Sequence, residues 1–410
     1  MTRTNPAGQS FLSYRRTRID EARLIILAQH DLGIPTWQDI NNLAEDHTEE
    51  QLRRVLGDPS TANTIIWITP DVSTSAVIRK IEVPAILARR QQDDPFFVIP
   101  VAAGGLDYKA AAEAVDQQIS VQDLEYWNLR KVVGDPIDAP QAFELGNRVL
   151  QRRIDALHRS LPKDVPIRLR LNTRTAPPVQ PDVSLSLDWT GRFNGREATS
   201  ESWDHHLLPA LKTIVATLHA QASGRIIEAS GFPAIAAATA LGSAFLAPTG
   251  INISWEQSKV GRASQTWSLA NSREPSDFTT KTTGADVTAK DLAVLVSVAA
   301  NVEFAFAASK KDLPRFRAIT TVTKEGQPPH DILTPGQAVD VAYVVVEGIR
   351  RARDEYRPID TIHLFMAVPV GLAMMIGQLL NTLGPVQTYE HIPIDATGCY
   401  RKAALINPSG

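Results

Sequence analysis

The chain runs to 410 residues, 43% of them hydrophobic and 21% charged, an ordinary globular composition and enough length for about two or three domains. Its formal net charge of −3 gives no general attraction for long polyanions, so any nucleotide it binds has to be gripped locally. One cysteine, Cys399, excludes an internal disulfide framework and a thiolate zinc cluster, and nine histidines without HxxxH or HExxH spacing point to no metal.

The first residues, MTRTNPAGQS, lack the apolar core of a secretion signal, and no run of about 18 apolar residues follows, so a soluble, cytoplasmic chain is expected. From Gln9 to Leu106 short β-type runs alternate with amphipathic ones. FLSY (Phe11 to Tyr14), TIIWIT (Thr64 to Thr69) and FFVIPV (Phe96 to Val101) read as strands buried in a parallel sheet. Asp20 to Leu32 reads as a helix with Ala22, Ile25 and Ile26 on one face and Gly33 as its C-terminal cap; Glu49 to Leu56 is another. This alternation implies right-handed crossovers and a doubly wound sheet, whose ligands bind beyond the carboxyl ends of the strands. SYRR and TPDVSTS occupy those positions.

The next segment, SAVIRKIEVPAIL (Ser75 to Leu87), sets Ile78, Glu82 and Ile86 along one helical stripe, beside Val77, Ile81 and Ala85. A carboxylate at the edge of an apolar face is partly desolvated and needs a partner or a task. Pro84 has no N–H for the Lys80 carbonyl and is expected to bend or end the helix there. Two readings of Glu82 stand at this point, an ion pair with Arg79 or Arg89 and a catalytic role.

Ala139 to Leu161 is a charged helical stretch running into PKDVP and TAPPVQPD, read as a connecting helix and linker with a domain boundary near 145 to 165. Beyond it the chain repeats itself. Arg225 to Glu256 parallels Thr361 to Glu390, matching Pro233 with Pro369, Gly242 with Gly377 and Trp255 with Tyr389, at spacings of 136, 135 and 134 residues. Each copy reads as strand, short loop, helix-starting proline, helix rich in small residues, and second strand. A longer helix precedes each, HHLLPALKTIVATLHA in the first and GQAVDVAYVVVEGIRRARDE in the second.

On these motifs the first hundred residues resemble a TIR domain. FLSYRR (Phe11 to Arg16) is similar to its first strand, GIPTWQD (Gly33 to Asp39) to its second strand entering the BB loop, and TIIWITPDVSTS (Thr64 to Ser75) to its third strand and loop. The helix bearing Glu82 follows in the expected order, although Ser75 precedes Glu82 by seven residues where six are usual. The second half resembles a SAVED domain of two CARF-like lobes, on IHLFMAVPVGLAMMIGQLLN (Ile362 to Asn381), VQTYEH and the internal echo. The implied layout is a flavodoxin-like α/β TIR domain with a parallel sheet at 1–140, a connecting helix and linker at 141–165, and a pseudo-duplicated Rossmann-like α/β SAVED domain at 166–410. Its lobes are expected at about 166–285 and 286–410.

TIR domains of this kind resemble NAD+ nucleosidases, so the resemblance implies an NAD+ glycohydrolase with NAD+ as substrate and no resident cofactor. Glu82 inherits the catalytic place, lending negative charge to an oxocarbenium-like ribose as neutral nicotinamide departs. Tyr14, Arg15, Trp37, Asp39 and Ser75 are the substrate-binding candidates. For Arg15 the alternatives are Arg16 or Arg18; for Trp37, covering the loop; for Asp39, capping it. The SAVED resemblance implies a cyclic oligonucleotide activator, a cyclic tri-adenylate in particular, with Ser230, Gly231, Phe232, Trp255, Lys310, Arg315, Pro369 and Tyr389 as contacts. Core packing of Trp255 and Tyr389 is the alternative there. The family context is CBASS antiphage defence and abortive infection, with ligand-induced head-to-tail filaments that set the loop Trp37 to Leu43 of one chain against the Glu82 pocket of the next. A non-enzymatic TIR scaffold is the competing expectation.

Overall fold

The computed structural model describes residues 3–37, 48–91, 94–176, 180–247, 250–259, 262–326, 328–330, 334–393 and 398–408. Asp39 and most of the loop after Trp37 lie outside them. The chain divides into two compact units, one of residues 1–169 with 177–188 and 217–222, the other of 170–176, 189–216 and 223–410. Among the described residues no helix is long and apolar enough to cross a membrane, and no group of His, Cys, Asp and Glu could hold a metal ion.

The first unit contains β1 (Gln9–Ser13), α1 (Ile19–Asp31), β2 (Thr36–Trp37), α2 (Thr48–Gly57), β3 (Thr61–Ile68), α3 (Val83–Arg90), β4 (Phe97–Ala102), α4 (Tyr108–Ala114), α5 (Val121–Tyr126), β5 (Arg130–Lys131) and α6 (Ala139–Ser160). Its strands lie in the order β2-β1-β3-β4-β5 and every neighbouring pair is parallel. That is the flavodoxin-like order, with the topological switch between β1 and β3. β3 is buried at all eight positions, in keeping with the unbroken apolar run Ile65–Ile68 that ends it, where a half-exposed strand would alternate. Gly33 closes α1 at φ +77°, a conformation open to glycine at little cost, and its carbonyl accepts the Ser186 N–H at 2.7 Å.

α6 differs from the connector expected of it. It lies along α1, where a Cβ on Gly146 would stand 3.0 Å from Leu32 Cδ1 and 3.4 Å from the Ala28 carbonyl oxygen. Its Arg153 is wholly buried, donating to the carbonyls of Ser184 at 2.9 Å, Gly8 at 2.6 Å and Ala7 at 2.5 Å. Burial pulls this guanidinium down to about 9. The helix is thus built into the first unit, and the division between units falls inside β6 (Ile167–Asn172), not in a free linker.

The helix carrying Glu82 also departs from expectation, because it does not stop at Pro84. A π turn over Ile78–Glu82, closed by the Val83 N–H on the Ile78 carbonyl, hands over to α3, in which Pro84 occupies the first turn. Widening the helix by one residue gives the proline a place where no N–H is required.

β7 (Leu185–Asp188) falls within the first unit, and α7 (Leu208–Gln221) within both. The second unit continues with β8 (Ile227–Phe232), α8 (Ile235–Ala244), β9 (Ile253–Lys259), β10 (Arg262–Trp267), β11 (Thr279–Gly284), β12 (Asp291–Ser297), α9 (Glu303–Ala308), β13 (Phe316–Thr323), α10 (Pro335–Glu355), β14 (Thr361–Ala367), α11 (Val370–Gln378), β15 (Val386–Ile392) and β16 (Cys399–Ile406). The repeat in the sequence is a repeat in the fold. β8 and β9 pair in parallel around α8, as β14 and β15 do around α11, and each second strand then pairs with an antiparallel hairpin partner, β10 or β16. β11 joins the second copy's sheet, order β11-β13-β12-β14-β15-β16, so the lobe boundary falls before β11 and not at 285.

The two copies meet through their helices. A Cβ on Gly242 in α8 would overlap the Met374 carbonyl oxygen, and one on Gly377 in α11 would overlap that of Thr239 and stand 3.1 Å from Gly242 Cα. The glycines matched by sequence are therefore the ones that cross. Gly242→Ala or Gly377→Ala is expected to destabilise the second unit by about 3 kcal/mol or more, since backbone, not a side-chain tip, must yield. Thermal unfolding measures it; midpoints within a degree of the parent chain would remove the close crossing.

Candidate functional site

Two places combine recessed charge with strand ends, one in each unit. In the first, Glu82 is 7% exposed and accepts a hydrogen bond from the Ser13 hydroxyl, Oγ to Oε2 2.5 Å. Ser13 is the last residue of β1, and its register partner Ile66 sits near the end of β3. The carboxylate consequently lies at the switch between β1 and β3, the position at which doubly wound sheets bind ligands. Of the two arginines considered as its partners, Arg79 pairs with Asp116 at 2.5 Å and Arg89 with Asp94 at 3.6 Å. Ser75, buried, accepts the Ile78 N–H on its Oγ at 3.3 Å and so caps the turn that leads to Glu82.

The loops beyond the same strand ends carry a polar cluster. Arg15 approaches Asp71 at 3.8 Å, and Asp71 also accepts from Thr17 and, at 2.6 Å, from Thr69. These hydroxyls hold the Asp71 carboxyl below its ordinary value against an opposing burial effect, which is the largest single influence on it. Arg18, an alternative to Arg15, is paired with Asp135 at 2.5 Å and Glu21 at 3.1 Å. Tyr14 follows Ser13 and is half-buried. Trp37 does neither thing expected of it in the described residues: it is buried and stacks on Phe11, its register partner, with ring centres 5.2 Å apart, and so packs in the core.

In the second unit a cavity of about 480 Å³ opens between the two lobes. Arg174, Arg196, Asn301, Glu390 and His391 give it polar character, and Phe304 and Tyr389 supply aromatic surface. Glu390, 5% exposed, points at the start of α8, accepting the Ala236 N–H at 3.3 Å with Arg174 3.7 Å away. Burial pushes its carboxyl up to about 7, opposed by the α8 amides and the two arginines. A carboxylate thus covers the start of α8.

Of the contacts expected in this half, Tyr389 alone lines that cavity, and even its hydroxyl is taken by His363 Nδ1 at 2.9 Å while its ring stacks on Phe365 at 4.2 Å. Trp255 is core, packed where Gly371 of α11 leaves room. The amides near Ser230, Gly231 and Phe232 are answered from within: Phe232 N–H by Asn172 Oδ1 at 2.9 Å and Ala234 N–H by Thr173 Oγ1 at 2.8 Å. Phe232 itself is 67% exposed. Lys310 and Arg315 are exposed and outside the cavity lining, Arg315 pairing with Asp286 at 3.2 Å; Pro369 caps α11. Arg174, Arg196 and Glu390, which sequence reasoning passed over, sit far apart in the chain and carry no local motif.

Residues 210–406 match the family described as "SMODS-associated and fused to various effectors sensor domain", SAVED, so this part of the chain is a SAVED sensor domain. Among solved structures, the fold is similar to the Acinetobacter baumannii Cap4 SAVED/CARF-domain containing receptor with the cyclic trinucleotide 3'3'3'-cAAA, at TM-score 0.52 and 14% identity, covering 84% of this chain and 88% of that one. The same receptor with 2'3'3'-cAAA gives TM-score 0.50 and 14% identity over 95% and 98%. No curated protein matches the chain at a significant level.

Glu390 makes stability depend on pH in a defined direction. With its carboxyl raised from the ordinary 4.5 to about 7, the stabilising neutral form is complete below the unfolded value and is lost as pH rises through the folded one. Glu390→Gln is expected to flatten that decline and to gain on the order of 3 kcal/mol near pH 8 with little change near pH 4. Unfolding midpoints at both pH values test it; a parallel decline in the variant refutes the assignment.

Proposed function

We propose that the chain is a cyclic-oligonucleotide-activated NAD+ nucleosidase, with a TIR-type first unit and the interlobe cavity of the SAVED domain as the messenger site. The observation that carries the enzymatic half is Glu82, recessed at the sheet's switch point with the Ser13 hydroxyl donating to its carboxylate. As the bond from nicotinamide nitrogen to ribose C1′ breaks, the ring leaves with the bonding electrons and becomes neutral. Glu82 then faces the cationic sugar, and water completes ADP-ribose. Tyr14 and Arg15 stand at the same strand end to take a base face and a phosphate.

For the sensor half, Arg174 and Arg196 suit phosphates, while Glu390 offers an oxygen to the exocyclic amine of a base, a combination that fits a cyclic oligoadenylate such as cyclic tri-adenylate. A messenger switches such a chain on only if it binds the active arrangement more tightly. Assembly of neighbouring chains head to tail into a filament is the arrangement we favour, with NAD+ loss as the antiviral outcome.

The test is nicotinamide release by the full chain across a panel of cyclic di-, tri- and tetranucleotides. Release is expected with one messenger class, about 100-fold or more lower in Glu82→Gln with messenger binding intact. Arg174→Glu is expected to weaken messenger binding about tenfold or more. No release from the parent chain with any messenger selects the scaffold reading. Light scattering in parallel is expected to show growth with messenger, and full turnover at unchanged size would refute assembly as the switch.

A further inference from the structure

The first unit holds a second cavity, about 480 Å³, that the reading above leaves unused. It sits where β4 begins, beside Phe97 and Val98, with Arg152 and Arg159 of α6 on its wall. Phe97 is level with Asn63, whereas Ser13 is level with Ile66 and Pro100. The strands are parallel, so the cavity and Glu82 lie toward opposite ends of the sheet, roughly 10 Å apart along the strand direction.

Its charge is one-sided. Arg3, Arg90, Arg152 and Arg159 face it against two carboxylates, Asp94 and Asp155. Both carboxylates are engaged. Asp94 takes the Thr4 hydroxyl at 2.6 Å, the Phe96 N–H at 2.8 Å and Arg89 at 3.6 Å, and Asp155 takes Arg159. Among the described residues no carboxylate pairs with Arg3, Arg90 or Arg152. Arg152 donates to the Val98 carbonyl at 3.1 Å and lies over the Phe97 ring at 5.8 Å, and its proton affinity is lowered first by burial and then by Arg148 and Arg90. Like charges gathered on a concave surface repel one another until an anion joins them. At the rim Tyr126 is 75% exposed, an aromatic face without cover.

We propose that this cavity binds a nucleoside phosphate, at a site separate from the Glu82 pocket and from the interlobe cavity. Arginine forks meet phosphate oxygens in pairs, and Tyr126 and Phe97 offer surfaces to a base. The volume lies within the usual span for small-molecule sites, about 300 to 1,000 Å³. A long nucleic acid is the poorer occupant, because the chain as a whole is acidic at −3 and the surface is concave. Such a site would let cellular nucleotide report on the first unit from the end remote from Glu82.

ADP binding to the full chain by calorimetry decides it, with inorganic pyrophosphate as the second probe. Saturable binding is expected to weaken about tenfold or more in Arg90→Glu and in Arg3→Glu, two arginines with which no carboxylate pairs among the described residues, and severalfold in Tyr126→Ala. Glu82→Gln and Arg174→Glu are expected to leave it unchanged. No saturable ADP binding, affinity indifferent to both arginine changes in chains with unaltered melting, or loss in Glu82→Gln or Arg174→Glu each overturns the site. Pyrophosphate binding as tightly as ADP overturns its assignment to a nucleoside.

Discussion

Two helices of the sensor half pass so close that neither carries a side chain at the crossing. Gly242 and Gly377 bring the backbones of α8 and α11 into contact, and everything distinctive about that half follows from the approach. Helices packed through leucines would stand roughly 8 to 10 Å apart and hold the lobes off one another. With glycines the start of α8 comes within hydrogen-bond reach of Glu390 at the far end of β15. The interlobe cavity is the space left where those two ends converge, and Arg174 and Arg196 complete its polar wall.

Both halves place a secluded carboxylate at the end of parallel strands, and they treat it differently. Glu82 accepts a hydrogen bond from the hydroxyl of Ser13 at the end of β1. Glu390 is set among amides and guanidinium groups, yet seclusion dominates and the acid leans toward its neutral form.

Much of the architecture was legible because it rests on local signals. The unbroken apolar run at Ile65–Ile68 marks a strand covered on both faces, Gly33 marks a helix end, and a proline, a glycine and an aromatic at nearly constant spacing mark the duplication. What escaped depends on register and on chain-distant encounters. Trp37 looks like a loop aromatic until β2 pairs with β1 and sets it beside Phe11. Trp255 and Tyr389 sit at equivalent strand positions, and both face inward. Arg174, Arg196 and Glu390 meet only after two lobes have folded, so no window of sequence contains them together. Pro84 misleads for a different reason: a single π turn absorbs it, and helical periodicity does not foretell such a turn.

Arg153 bears on how such a chain can be taken apart. Its guanidinium ties the oxygen atoms of Ala7 and Gly8, near the beginning, to that of Ser184, far downstream. The first unit is therefore no cassette to be cut out at residue 140 and grafted elsewhere. A transplant trimmed there would lose the cation and strand its oxygen partners, so a portable piece has to carry α6 and the stretch through Asp188 with it.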